Sequence, residues 1–146
     1  MTEVRIQILR EGVSLPKYHT AESAGFDLAA AEDVSVAPKA IAKVPTGLSI
    51  ESPVGHFLLL SARSSLAGKM GLMLANGVGT IDRDYSGPED EIFISVYNFT
   101  EYTVELKKGD RIAQGIFIPT TQAIFVESEM RTESRGGFGS TGGYSA

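Results

Sequence analysis

Short apolar runs recur along the 146-residue chain, and their pattern is typical of β-strands rather than of helices. Residues 102–107 alternate apolar and polar side chains strictly, as a strand with one face in water does. Glycine, proline, aspartate and serine separate the runs at the spacing of a sandwich or barrel, and six prolines would interrupt any long helix. The pattern predicts an all-β domain. Its strands are expected at residues 4–8, 34–36, 41–50, 56–61, 92–99, 102–106, 112–118 and 124–126.

Two glycine-rich segments lack a strand pattern. Residues 68–87 hold five glycines around the sequence Ile-Asp-Arg-Asp-Tyr, and residues 136–146 hold five more around Phe138. Glycine at this density cannot fill a core, so it serves tight backbone geometry or mobility. We therefore expect residues 1–132 to form the domain and residues 133–146 to form a flexible tail.

The composition of the chain excludes several kinds of site and partner. The absence of cysteine excludes disulfides, cysteine zinc sites and cysteine nucleophiles, and the two histidines, His19 and His56, lie far apart in the sequence. A net charge of −5 argues against a surface for nucleic acid or anionic membranes. No apolar run approaches the roughly 20 residues that span a bilayer, and no signal peptide opens the chain. We expect a cytoplasmic protein, or a nuclear one in a eukaryote, without membrane or stable nucleic-acid partners.

A guanidinium and two hydroxyls follow the apolar run at 56–61, in Arg63, Ser64 and Ser65. They open the one predicted helical turn, residues 64–70, whose first serine is expected to cap it. A helix start with these groups would bind an anion, whereas simple capping beside a surface arginine is the alternative and locally the commoner arrangement.

Asp82 and Asp84 lie two residues apart between glycines. In extended chain their side chains would point to one face, where they could hold a metal ion or activate water. Turn formation is the alternative role of aspartates in such a setting.

The tail matches the pattern GxGxxG at residues 137–142. A dinucleotide site also needs a strand before and a helix after this pattern, so that interpretation is rejected. Its backbone N–H groups and the hydroxyls of Ser140 and Thr141 could still wrap a phosphate, and a disordered glycine tail is the alternative.

Taken together, five segments resemble, in order and spacing, the five motifs of the trimeric deoxyuridine triphosphatases (dUTPases). They read AGFDLAA (24–30), ARSSLAGKMG (62–71), NGVGTIDRDY (76–85), GDRIAQ (109–114) and RGGFGSTG (135–142). The resemblance covers essentially the whole chain. It implies a jelly-roll-like fold of the β-clip type and hydrolysis of dUTP to dUMP and pyrophosphate. It also implies a homotrimer in which each site takes motifs one, two and four from one subunit, motif three from a second and the tail from the third.

The resemblance further implies a role for each matching residue. Asp82 corresponds to the general base that orients a water toward the α-phosphorus. Asp27 corresponds to an acid that supports Mg²⁺ through waters, since Mg²⁺ keeps much of its hydration shell. The implied uracil pocket is a hairpin from Asn76 to Phe93, in which Asn76, Thr80, Ile81 and Phe93 contact the base and Gly77 and Gly79 let the backbone approach it closely. Tyr85 is implied to lie under the deoxyribose and to exclude a 2′-hydroxyl. The implied phosphate contacts are Arg63, Ser64, Ser65 and Gln114, and the implied closing lid consists of Arg135, Phe138, Ser140 and Thr141.

The chain departs from the family pattern at two places that bear on the site. The turn at residues 86–91 is about two residues longer than usual, and Arg135 lies two residues nearer to Phe138 than usual. Two related functions remain as alternatives. A dCTP deaminase needs an acidic residue near position 95, which is serine here, and a nucleotide sensor without hydrolysis is disfavoured by the intact Asp82.

Overall fold

The structure, a computed structural model, describes residues 1–138, and nearly all of its regular elements are strands. The single helical element in that part of the chain is a five-residue π-helix, Leu66–Met70. The strands are β1 (Arg5–Ile8), β2 (Phe26–Ala29), β3 (Val34–Val36), β4 (Ile41–Pro45), β5 (Leu48–Glu51), β6 (His56–Ala62), β7 (Leu72–Leu74), β8 (Gly79–Ile81), β9 (Phe93–Asn98), β10 (Val104–Leu106) and β11 (Arg111–Pro119). The predicted all-β class is confirmed.

The strands form a four-stranded sheet in the order β2-β11-β6-β8, a three-stranded sheet in the order β4-β9-β7, and the pairs β1-β5 and β3-β10. All these pairings are antiparallel. Alternate side chains of each sheet point into one shared core, which includes Leu58 and Ile112 from the larger sheet and Val44 and Ile94 from the smaller one. Burial of these apolar faces drives the fold, at about 25 cal/mol per Å² removed from water.

Several predicted elements differ from the structure. Residues 41–50 form two strands rather than one, because the chain turns at Gly47, whose φ is +69°. Strands β2, β7 and β8 were not predicted. β7 and β8 lie in the segment 68–87, whose glycines obscure the strand pattern. The strand predicted at 124–126 is wrong: residues 120–138 contain no strand, and their side chains are exposed. A strand needs a neighbour for its backbone hydrogen bonds, and the described part of this chain offers none there.

The predicted helical turn is present but differs in detail. It begins at Leu66 rather than Ser64, and the side chain of Ser65, at the N-cap, makes no capping hydrogen bond. The prediction of a serine cap is therefore wrong. Within residues 1–138, no helix is long and apolar enough to cross a membrane.

Candidate active site

Residues of the first, second and fourth motifs meet where β2, β11 and the end of β6 lie side by side. Gln114 on β11 pairs with Asp27 on one neighbouring strand and with Ser61 on the other. Directly opposed residues share a sheet face, so these side chains project together. Asp27 and Gln114 line a cavity of about 480 Å³ together with Arg63, Ser64, Arg111, His19, Ser23, Ala24 and Gly25.

Two guanidiniums share one carboxylate in this cavity. Asp27 Oδ1 lies 2.9 Å from Arg63 Nε, and Asp27 Oδ2 accepts a hydrogen bond from Arg111 Nη1 at 3.0 Å. The side chains of Asp27 and Arg63 are 26% and 30% exposed, so the pair is only partly screened by water. Two positive charges against one negative charge leave the cluster with a net charge of +1. The cavity therefore suits an anion.

Arg111 was not predicted as a site residue. Strict strand alternation places residues 111 and 114 on opposite faces, whereas both line the cavity. The reason is a register shift between Arg111 and Ala113, a β-bulge, which re-aims the arginine. The only sequence signal was its place inside the GDRIAQ segment, three residues before Gln114.

Of the two predicted serines, only Ser64 lines the cavity, while Ser65 serves as the N-cap of the π-helix. Since that helix has five residues, the positive potential comes from the arginines rather than from aligned peptide dipoles. Gln114 Nε2 donates to the Ala62 carbonyl at 3.3 Å, which holds the amide beside the strand end. This side of the predicted site is thus assembled within one chain.

A neighbouring cavity of about 560 Å³ is larger and shares His19, Asp27 and Arg111 with the first. Its remaining walls come from residues 12–18, from β2 and the residues after it, and from Thr46, Leu48, Lys108 and Gly109. Asp27 is the only predicted site residue that it contains, so the smaller cavity is the candidate site.

The second group of predicted residues lies on the segment from Asn76 to Phe93. Thr80 and Ile81 belong to β8, which pairs with β6, whereas Phe93 begins β9, which pairs with β4 and β7. β8 and β9 therefore belong to different sheets. The base of the expected hairpin is nevertheless present, since β7, which ends at Leu74, pairs antiparallel with β9. Asn76, Asp82, Tyr85 and Phe93 are all exposed on this segment.

A tight turn holds two of the predicted site residues, Asp82 and Tyr85. The Tyr85 N–H donates to the Asp82 carbonyl at 3.1 Å, and Tyr85 Oη donates to the Glu91 carbonyl at 2.9 Å. Gly79, expected to approach a base, is instead required by packing, because a Cβ there would lie 2.9 Å from Leu60 Cβ.

The two groups lie at opposite ends of β6. Ile81 pairs with Leu58, five residues before Arg63. At about 3.3 Å per residue, this pairing puts about 16 Å between Ile81 and Arg63, and Asp82 lies one residue further away.

Two of the four predicted lid residues fall within the described part of the chain. Arg135 and Phe138 are exposed, and Ser140 and Thr141 lie outside the described residues. Within residues 1–138, no three His, Cys, Asp or Glu side chains converge as a metal site would require. Asp27 is the one carboxylate lining the candidate cavity.

Comparison with known proteins decides the family. The sequence model of the dUTPase family matches residues 11–142, which is most of the chain. The chain belongs to the dUTPase family. It is 43% identical over 143 residues to the deoxyuridine 5'-triphosphate nucleotidohydrolase of Lactococcus lactis, a match that covers 96% of this chain and 95% of that protein.

Solved dUTPases also share the fold. The crystal structure of the dUTPase from Streptococcus mutans is 39% identical and superposes with a TM-score of 0.75, covering 82% of this chain and 98% of that one. The dUTPase from phage phi11 of S. aureus, in a mutant form that coordinates a structural Mg(II) ion, has a TM-score of 0.79 at 22% identity, covering 88% and 98%. The dUTPase resemblance and the jelly-roll-like fold predicted from the sequence are confirmed.

Proposed function

We propose that this chain hydrolyses dUTP to dUMP and pyrophosphate, which would keep uracil out of DNA and supply dUMP for thymidylate synthesis. The observation that carries the proposal is the cationic cavity in which Asp27, Arg63, Ser64 and Gln114 meet. Membership of the dUTPase family and the likeness to the L. lactis nucleotidohydrolase support the choice of substrate.

The cavity binds the triphosphate. A chain with a net charge of −5 repels a polyanion, so a local cluster of net positive charge is needed to hold one. Arg63 and Arg111 provide guanidiniums that can donate two hydrogen bonds each to phosphate oxygens. Ser64 and Gln114 add neutral donors, which orient the phosphates without further charge.

Mg²⁺ fits this donor set as an ion that arrives with the nucleotide. One carboxylate, already shared by two guanidiniums, cannot hold Mg²⁺ alone, and Mg²⁺ ordinarily takes oxygens from substrate phosphates. Asp27 would contact its water shell. When bound, the ion neutralises the charge that develops on the phosphates.

Asp82 is the general base. It orients a water toward the α-phosphorus and accepts its proton as the new phosphorus–oxygen bond forms. The bond from the α-phosphorus to the oxygen bridging it to the β-phosphorus breaks, and pyrophosphate leaves with that oxygen. Asn76, Thr80, Ile81 and Phe93 form the uracil side of the site, and the Tyr85 ring lies under the deoxyribose. The tail, with Arg135, Phe138, Ser140 and Thr141, closes over the bound nucleotide and excludes other water.

The protein is a homotrimer with sites shared between subunits. The separation of about 16 Å between Ile81 and Arg63 along β6 supports this, since the base must come from a different copy than the phosphate cavity. The arm at 120–138 supports it too. Ile124, Phe125, Val126 and Met130 are each at least 78% exposed, and such an apolar arm requires a partner surface.

Complementation between two inactive variants tests the function and the shared site together. Arg63→Ala and Asp82→Asn are each expected to abolish dUTP hydrolysis. Unfolded and refolded together in equal amounts, they should regain about a quarter of the wild-type activity, because a site that takes Arg63 and Asp82 from different copies is intact in about one arrangement of four. No recovery would place both residues of a site in one chain.

The substrate assay separates this function from its alternatives. Wild-type protein with Mg²⁺ should release pyrophosphate from dUTP and much less from dTTP, dCTP or UTP. Ammonia release from dCTP would instead show a deaminase, and tight nucleotide binding without product would show a sensor.

A further inference from the structure

The loop that carries Asp82 and Tyr85 is tied to the body of the domain through Glu91. Glu91 Oε1 accepts hydrogen bonds from Arg10 Nε at 2.7 Å and from the Gly47 N–H at 2.8 Å, and Oε2 accepts one from Arg10 Nη2 at 2.9 Å. The Glu91 side chain is only 12% exposed. A bidentate guanidinium–carboxylate pair of low exposure is among the stronger and more directional contacts available to a loop. The same hydrogen bonding raises the pKa of Arg10.

The contact continues from Glu91 to the proposed sugar site. The Glu91 carbonyl accepts the hydrogen bond of Tyr85 Oη at 2.9 Å, and the Tyr85 N–H closes the turn onto Asp82 at 3.1 Å. Tyr85 is 40% exposed, and its hydroxyl hydrogen bond to Glu91 is a directional contact that fixes the tip of the ring. Ser49 Oγ also donates to the Gly87 carbonyl at 2.9 Å and fixes the far side of the loop.

The length of this loop makes such a tether necessary. Residues 82–92 connect β8 to β9 without forming a strand, and a connection of this length adds conformations in which Tyr85 is misplaced. The Tyr85 ring can exclude a ribose 2′-hydroxyl only if the ring is held in position. A displacement of about 1 Å in a binding site can lower the rate 10²-fold.

We propose that Arg10 and Glu91 are positioning residues that fix the Tyr85 ring and thereby set selection of deoxyribose over ribose nucleotides. The inference rests on the proposed function only in placing Tyr85 under the sugar. Neither residue lies in the five motif segments.

The test is the ratio of kcat/KM for dUTP to kcat/KM for UTP, which a general loss of stability would not change. Glu91→Gln keeps the size of the side chain and an oxygen for the Gly47 N–H, but it removes the charge that holds Arg10. The ratio is expected to fall about tenfold, which corresponds to the loss of one charge-assisted hydrogen bond. Arg10→Lys, which keeps the charge without the bidentate geometry, should lower the ratio less than Arg10→Gln.

Glu32→Gln is the matched control. Glu32 is the other acidic partner of Arg10, at 3.0 Å, and is 55% exposed. Its loss leaves the Glu91 contacts in place, so the ratio should stay at the wild-type value. A ratio unchanged in Glu91→Gln, with melting temperature and trimer intact, would overturn the proposal.

A double-mutant cycle tests whether Glu91 acts on sugar selection through Tyr85. Tyr85→Phe removes only the hydroxyl that donates to Glu91, and it should lower the ratio about as much as Glu91→Gln does. The double variant should lower it no further, because both changes release the same ring. Additive losses would show that Glu91 acts elsewhere.

Affinity measurements separate failure of this inference from failure of the proposed function. Calorimetry with the α,β-imido analogues of dUTP and UTP gives the same selectivity ratio without turnover. If wild-type protein fails to hydrolyse dUTP and the affinity ratio still falls in Glu91→Gln, the function is wrong and the positioning role stands. Equal affinity ratios in both proteins would refute the positioning role.

Discussion

Arg63 Nε lies 2.9 Å from Asp27 Oδ1. This ion pair connects the end of β6 with β2, because Arg63 directly follows β6 and Asp27 is the second residue of β2. The other oxygen of the same carboxylate holds Arg111 at 3.0 Å. Two like charges are thereby kept side by side on one cavity wall. In the proposed function, Asp27 would act on the bound phosphates through these arginines, in addition to supporting Mg²⁺.

Removal of the Asp27 charge should therefore weaken phosphate binding, although the loss of a negative charge would by itself favour an anion. In Asp27→Asn the guanidiniums repel each other without compensation and turn away from their present positions. We expect affinity for α,β-imido-dUTP to fall about tenfold, as for loss of one hydrogen bond to a charged group. Calorimetry at several Mg²⁺ concentrations measures this. The control is Glu101→Gln, which removes an exposed pair with Lys39 at 3.0 Å and should change nothing.

The calorimetry at several Mg²⁺ concentrations also distinguishes the two roles of Asp27, which are support of the ion and positioning of the arginines. Recovery of affinity at high Mg²⁺ would show that the carboxylate mainly supports the ion. A loss independent of Mg²⁺ would show that it mainly holds the arginines. Wild-type affinity in Asp27→Asn would contradict both roles.

Asp82→Asn should separate chemistry from binding. The amide keeps the size and hydrogen bonding of the side chain but cannot accept the water proton, so turnover should fall about 10²–10⁴-fold. Affinity for the imido analogue should change much less, because the phosphates are held near Arg63. Steady-state kinetics and calorimetry on the same preparation give both numbers.

Asp84→Asn is the control for that experiment. Asp84 is exposed in the same turn, and Asp84→Asn removes the same charge as Asp82→Asn. Asp84 is not expected to face the attacking water. A loss of turnover in Asp84→Asn equal to that in Asp82→Asn would show that the loop's charge, rather than one base, is what matters.

The sequence allowed prediction of one side of the site because its parts are local. Asp27, Arg63 and Gln114 each sit in a compact motif, and antiparallel pairing brings those motifs together. Arg111 was missed because a β-bulge overrides the alternation from which its direction is read. The segment from 76 to 93 was predicted as a hairpin, but only its base is one, where β7 pairs with β9, because β8 pairs with β6 instead of with β9. Long-range pairing of this kind leaves no periodic signal.

The strand predicted at 124–126 is absent from the structure and lies in the arm at 120–138. Its apolar pattern is that of a strand, but the residues that would cover it lie outside the chain's own fold. We expect Phe125→Ser to weaken the trimer, since burying a phenylalanine contributes about 1.5–3 kcal/mol per copy. Light scattering across a dilution series should show dissociation in this variant, whereas Phe125→Leu should remain trimeric. A Phe125→Ser trimer as stable as wild type would show that the arm is not an interface.

The tail provides the last prediction. Phe138 is fully exposed and lies among glycines, so it adds nothing to the core. Deleting residues 135–146 should leave the trimer and its melting temperature nearly unchanged but reduce turnover strongly, because the tail stabilises only the closed, nucleotide-bound state. Undiminished turnover after the deletion would refute the lid.

Two single variants then show which group closes the site. Stacking of an aromatic ring on a base is worth about 1–3 kcal/mol by alanine substitution, so Phe138→Ala should lower affinity for the imido analogue about tenfold or more. Arg135 lies two residues nearer to Phe138 than the family pattern places it, which shortens its reach toward the γ-phosphate. Arg135→Ala should therefore cost less than Phe138→Ala. The comparison needs both the triphosphate analogue and dUMP, because loss of a γ-phosphate contact affects only the former while loss of stacking affects both. If Arg135→Ala has the larger effect, and only on the triphosphate, then the short loop does deliver its guanidinium to the γ-phosphate.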